Sequence, residues 1–234
     1  MTSKLMRAGL AVAGLLAACV AAEAADMKVK ALPYKQAPII PVATWSGFYF
    51  GINGGFAWGD TKWQGPPGFG TRVSGPLIGL TYGYNMQSGS AVFGIEGDID
   101  WADINGSSAC GLATCGFRNN WLGTVRGRIG QSFNGFLPYL TGGLAYGGVR
   151  ASNSLFGATR TTQIGWTVGA GFEMAFGSQW SAKLEYLYVD LGSFDCGLPC
   201  GLGVPQNVGM TANVVRAGLN YKFDLGGGLV VAKY

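Results

Sequence analysis

Three carboxylates alternate with apolar or small residues along Phe93 to Trp101, FGIEGDIDW: Glu96, Asp98 and Asp100 hold the even positions, and Phe93, Ile95, Gly97, Ile99 and Trp101 the odd ones. Acids grouped this closely invite metal binding, proton transfer or pairing with cations. A period of two is that of a β-strand, so the segment has one apolar face and one acidic face. A second segment, Trp121 to Ile129 (WLGTVRGRI), alternates in the same way and sets Arg126 and Arg128 on its polar face. Joined as an antiparallel hairpin, the two lay acids beside arginines on one side and an unbroken apolar band on the other. Both repeats have period two, so a slip of two residues still opposes acid and arginine. The pattern therefore predicts a network and not its individual pairs.

Composition narrows the chemistry. The chain has no histidine, which removes the commonest general base and metal ligand, and with it any Ser-His pair. No G-x-S-x-G nucleophile elbow occurs. The expectation is a protein that is not an enzyme and takes no cofactor and no metal. Charged residues make up 12% of the 234 positions, and 41 are glycine; a soluble domain carries about 25% charge and about 7% glycine. Outside the N-terminus no apolar run is long enough for a membrane helix. The net charge is +4 without a basic block, so nucleic acid is not an expected partner.

The elements that would position the charges come next. Residues 1–24 read as a signal peptide, with Lys4 and Arg7 before an apolar stretch from Ala8 to Val20 and a cleavage site at Ala22-Glu23-Ala24. Leu16-Ala17-Ala18-Cys19 competes with it as a lipobox that would leave a lipid on Cys19. Residues 25–44, with Pro33, Pro38 and Pro41, read as a Pro-rich periplasmic linker. Four further cysteines form two close pairs, Cys110 with Cys115 and Cys196 with Cys200. In an exported protein these are disulfide candidates, local pairing being favoured among three connectivities; a zinc site is the competing reading.

Residues 45–223 hold eight alternating segments, separated by connections that are alternately long and short. Long connections are expected at 60–71, 103–119, 149–163 and 190–209. This spacing predicts an all-β fold, an eight-stranded antiparallel up-and-down barrel. The polar faces carry mostly Gly, Thr, Asn and Ala, too small and uncharged for a solvated exterior. The apolar faces end in aromatics, as lipid-facing strands do. The barrel is thus expected to be transmembrane, with Glu96, Asp98, Asp100, Arg126, Arg128, Glu173, Lys183, Glu185, Arg216 and Lys222 lining its lumen as a charge network balanced in sign. Such balance is what buried charges require. Trp63, Pro66, Pro67 and Phe69 in the first long connection, and Leu155 and Phe156 in the third, are expected either as exposed contact residues or as side chains packed over the barrel mouth. Residues 224–234 form a C-terminal extension.

Several segments resemble the porin-family small outer-membrane β-barrels known as outer membrane immunogenic proteins: WSGFYFGINGG (45–55), GIEGDIDW (94–101), TVRGRIG (124–130), PYLTGGLAYG (138–147), GWTVGAGFE (165–173), EYLYVDLG (185–192) and VVRAGLNYKF (214–223). The quoted stretches fall on seven of the eight segments, in order. It implies an architecture like the OmpA transmembrane domain, a place in the outer membrane of a Gram-negative bacterium, exposure as a surface antigen and no assigned enzymatic activity. Such barrels end on the aromatic of the last strand. Here either Phe223 or Tyr234 supplies the aromatic read by the barrel-assembly machinery. The functional expectation is a monomeric structural protein of the envelope, its lumen plugged by the charge network, in contact with outer-membrane lipid and lipopolysaccharide. Alternatives are a narrow passive channel for ions or small solutes, and an adhesin or ligand-binding protein acting through its loops.

Overall fold

The computed structural model describes residues 44–64, 68–197 and 207–223. The expected signal peptide, Cys19, Pro66, Pro67, Cys200 and residues 224–234 lie outside these, as does the linker apart from Thr44.

Eight antiparallel strands form the molecule: β1 (Gly47–Gln64), β2 (Phe69–Ser88), β3 (Ala91–Cys110), β4 (Ala113–Gln131), β5 (Phe136–Asn153), β6 (Gly157–Phe176), β7 (Trp180–Asp195) and β8 (Asn207–Lys222). Each pairs with the next in the chain, and β8 pairs with β1 to close the barrel. Short turns join β2 to β3, β4 to β5 and β6 to β7 at one end, here termed the base, where β1 also begins and β8 ends. The opposite end, the crown, holds the turns from β3 to β4 and from β5 to β6. The fold is the expected up-and-down barrel, produced by alternating residues that must bury one face and leave the other in an apolar surround.

Outward positions in the half nearer the base are apolar on every strand. On β1 they are Phe48, Phe50, Ile52, Phe56 and Trp58, and on β6 Ile164, Trp166, Val168, Phe172, Met174 and Phe176, all exposed. A continuous apolar belt of this size around a barrel faces lipid and not water.

The strands are longer than the sequence pattern led us to expect. They run for 16 to 20 residues, whereas about 9–11 tilted residues cross a bilayer. The expected long loops are largely strand: β3 and β4 meet in a turn at 111–112, and β5 and β6 in one at 154–156. The alternation continues into the crown, but its polarity reverses. On β1 the outward row passes from Trp58 to Asp60 and Lys62, while the inward row passes from Asn53 to Ala57 and Trp63. The crown is therefore built like a soluble barrel, polar outside and apolar inside. Its interior packs Leu77, Ile104, Phe117, Leu122, Val149, Leu187, Leu191 and Met210 into one buried cluster. Of the two readings of Trp63, packing over the barrel mouth is the one observed: it is 2% exposed and stacks on Phe69 at 5.1 Å between ring centroids. Leu155 and Phe156 are exposed at the turn they occupy.

Cys110 and Cys115 are joined by a disulfide across the β3–β4 hairpin, and Cys196 is disulfide-bonded as well. At the base, Trp45 packs with Val92, Leu137 and Tyr139 in a second apolar cluster. Its indole N–H donates to Ser132 Oγ at 2.9 Å and its backbone N–H to Gln87 Oε1 at 2.8 Å.

Candidate functional site

Between the apolar crown and the Trp45 cluster lies the charged part of the lumen. Strand β3 supplies Glu96, Asp98 and Asp100, β4 Arg126 and Arg128, β6 Glu173, β7 Lys183 and Glu185, and β8 Arg216. Each stands on the inward parity of its strand, and each is buried.

Two arginines organise the centre. Arg126 places Nη2 2.5 Å from Glu96 Oε1 and 2.8 Å from Asp98 Oδ2, and Nη1 2.8 Å from Glu185 Oε1. Its Nε donates to Thr124 Oγ1 at 2.8 Å. Arg216 enters from the opposite wall, with Nη2 2.7 Å from Asp98 Oδ2 and 2.8 Å from Glu185 Oε2, and Nη1 2.9 Å from Asp100 Oδ2. Asp98 and Glu185 thus bridge the two guanidinium groups, whose mutual repulsion is offset by the shared carboxylates.

Closer to the base, Arg128 reaches across to Glu173 at 2.8 Å and lies 3.4 Å from Glu96 Oε2. Its guanidinium carbon is 4.0 Å from the centre of the Tyr139 ring, a cation–π contact. Lys183 Nζ is 2.9 Å from Glu96 Oε2. Glu173 accepts hydrogen bonds from Ser181 Oγ at 2.5 Å and Asn220 Nδ2 at 2.8 Å. The hydroxyls of Tyr49 and Tyr139 donate to Glu96 at 2.8 Å and to Glu185 at 3.0 Å. Small residues make room for these groups: a β-carbon on Gly79 would fall on the Asp100 carboxylate.

The tenth residue of the expected network stands elsewhere. Lys222 is half-buried at the base, where its ammonium donates to the Thr44 carbonyl. Among the described residues, the ion pairs of the central cluster join five carboxylates and four cations. Position along the strand decides this, since Lys222 is the last residue of β8 and Arg216 lies six positions further in. The sequence reading also missed the neutral members Tyr49, Thr124, Tyr139, Ser181 and Asn220. Their signal was available, because each shares the inward parity of a charged or small residue on its own strand.

Chemically, such a cluster neutralises its own charges. Desolvating an ion costs several kcal/mol, which only close pairing with further hydrogen bonds offsets. The arginines here are held by two or three carboxylates each, and their side chains are 0–1% exposed.

A closed barrel with a lipid-facing belt and a polar interior defines an outer-membrane β-barrel. Residues 10–223 match the family of the outer membrane protein β-barrel domain, and the chain belongs to that family. It is 36% identical over 192 residues to a 22 kDa outer membrane protein of Rhizobium leguminosarum bv. viciae, covering 81% of this chain and 83% of the relative. It is 33% identical over 226 residues to a 31 kDa outer-membrane immunogenic protein of Brucella melitensis biotype 1, covering 86% and 93%. Among solved structures, the outer membrane protein OprG from Pseudomonas aeruginosa aligns with a TM-score of 0.51 at 20% identity, over 76% of this chain and 97% of the other. The protein is accordingly a multi-pass outer-membrane protein.

Proposed function

We propose that the protein is a structural component of the outer membrane, a monomeric and sealed barrel without enzymatic activity that stabilises the envelope and presents rigid surface hairpins. The observation that carries this reading is the stacking of three closures along the lumen. The Trp45 cluster closes the base, the Arg126–Arg216 network fills the middle, and the apolar cluster around Ile104 and Leu191 fills the crown. A passive channel needs a continuous wet path with binding weak enough for solutes to leave. Guanidinium groups locked to several carboxylates and covered by apolar side chains argue against one.

Deletion of the gene in its own host tests the structural role. Loss should raise sensitivity to detergent and increase the release of outer-membrane vesicles, and a copy of the wild-type chain should restore both. Unchanged detergent sensitivity and vesicle release would count against it. A second reading, adhesion through the crown, is favoured by the exposed apolar tips Leu112, Leu155 and Phe156. It predicts that Leu155→Ser with Phe156→Ser lowers surface attachment of whole cells while leaving envelope integrity intact.

A further inference from the structure

Three arginines stand side by side on the outer wall of the crown. Arg118 on β4 is directly opposite Arg150 on β5, which is directly opposite Arg160 on β6, and all three are exposed. Neighbouring strands lie about 4.8 Å apart, so the three side chains leave the wall within about 10 Å of one another. Like charges directly opposite in a sheet are destabilising. Elsewhere on this wall the cost is avoided, since Arg72 on β2 stands opposite Asp60 on β1. In the row itself, Asp103 lies 3.7 Å from Arg118 in an exposed pair. Among the described residues, no carboxylate is within ion-pair distance of Arg150 or Arg160. Asp195 flanks the row on β7, beside the Cys196 carbonyl that accepts a hydrogen bond from Thr159. Among the described residues, two positive charges thus remain without a carboxylate partner at a place where the sheet alone would disfavour them.

The wall beside the row is concave. A depression of about 320 Å³ opens there, flanked by Arg118, Arg150 and Asn105 and floored by the small residues Ser107, Gly116 and Ser152. Its height relative to the lipid belt identifies what can reach it. Arg118 is three residues beyond Trp121, Arg150 four beyond Tyr146, and Arg160 four beyond Ile164. A strand tilted by about 45° climbs roughly 2.3 Å per residue, which puts the row about 7–9 Å above the edge of the belt. The polar layer of a leaflet occupies about the first 5–8 Å beyond the hydrocarbon. The arginines point sideways from the barrel at the outer edge of that layer, not upward from its tip.

We propose that Arg118, Arg150 and Arg160 form a binding site for the phosphate groups of a phosphorylated glycolipid of the outer leaflet. The planar guanidinium fork matches a phosphate in bidentate geometry, and three in a row hold two neighbouring phosphates. The sideways aim of the row favours a lipid in the membrane plane over a soluble polyanion, which would approach the crown from above. The proposal rests on the outer-membrane placement and is independent of whether the lumen is sealed.

The test uses the full-length protein, refolded in detergent micelles and titrated with phosphorylated lipid A and with its dephosphorylated form. The wild type should bind the phosphorylated form about ten- to a hundredfold more tightly. Arg118→Gln with Arg150→Gln and Arg160→Gln should abolish that preference, the triple Lys variant should keep part of it, and Arg72→Gln should keep all of it. Heat-dependent electrophoretic mobility establishes that each variant is a folded barrel, so loss of binding in a folded variant separates this site from the barrel assignment. The proposal is overturned if the folded triple Gln variant retains the preference. It is equally overturned if inorganic phosphate at millimolar concentration displaces the lipid, or if a sulfated polysaccharide occupies these arginines and lipid A does not.

Discussion

Glu96 on β3 and Arg126 on β4 are direct cross-strand partners, and their side chains meet inside the lumen at 2.5 Å. The same register sets Arg128 opposite Gly94, nearer the base, so its guanidinium is free to cross to Glu173 on β6. Glu185 and Arg216, likewise direct partners on β7 and β8, close the ring from the other wall. Lys183 turns away from Glu173, its direct partner, and meets Glu96 across the barrel. The network is thus a cross-lumen brace tying β3, β4, β6, β7 and β8 together.

Removing one cation should cost more than removing an ion pair. Arg126→Ala leaves Glu96, Asp98 and Glu185 short of a partner in a buried site, and a loss of about 3–5 kcal/mol is expected. Combining Glu96→Gln with Arg126→Met should lose less than the sum of the two single changes. Urea unfolding in lipid vesicles, read by tryptophan fluorescence, measures both.

The crown should behave as a soluble core although it belongs to a membrane protein. Ile104→Ala removes a fully buried side chain and should cost about 2–5 kcal/mol. Ile95→Ala, whose side chain faces the belt, should cost less because lipid fills the space. The same unfolding experiment compares the two.

An arginine scan along the outer face should locate the membrane boundary. Val125→Arg, near the middle of the belt on β4, is expected to lose about 2–4 kcal/mol, and Ser74→Arg, on the polar outer wall of the crown, about 0–1 kcal/mol. Equal losses at the two positions would contradict the reversal of polarity between belt and crown.

The disulfide between Cys110 and Cys115 closes a short loop at the tip of the β3–β4 hairpin. Its removal by Cys110→Ser with Cys115→Ser should cost about 2 kcal/mol, as expected for so small a loop. Because the ladder from Ala91 to Cys110 pairs with β4 independently, heat-dependent mobility should persist. Proteolysis at Gly111-Leu112 should become faster.

The alternation of Phe48, Phe50 and Ile52, or of Trp166, Val168 and Met174, made the strands and their lipid face legible, because lipid and lumen impose opposite demands on neighbouring residues. The gathering of Glu96, Asp98, Asp100, Arg126 and Arg128 was legible for the same reason. Individual pairs were not, since register depends on turn geometry that period-two patterns leave open. The crown was misread as loops because Asp60, Lys62 and Trp63 break the lipid pattern. They continue the strand, with water now outside and apolar side chains within. The depth of Lys222, at the base, was not legible either, because parity fixes the face a residue takes and not its depth.

Single-channel recording in planar lipid bilayers tests the sealed lumen most directly. The wild-type barrel, refolded and inserted, should give no reproducible conductance steps, whereas a folded variant that opens all three closures, carrying Trp45→Ala, Leu137→Ala, Arg126→Ala, Arg216→Ala, Ile104→Ala and Leu191→Ala, should give small ones. Steady steps from the wild type that change when Arg126 and Arg128 are replaced would contradict the plug and establish a channel.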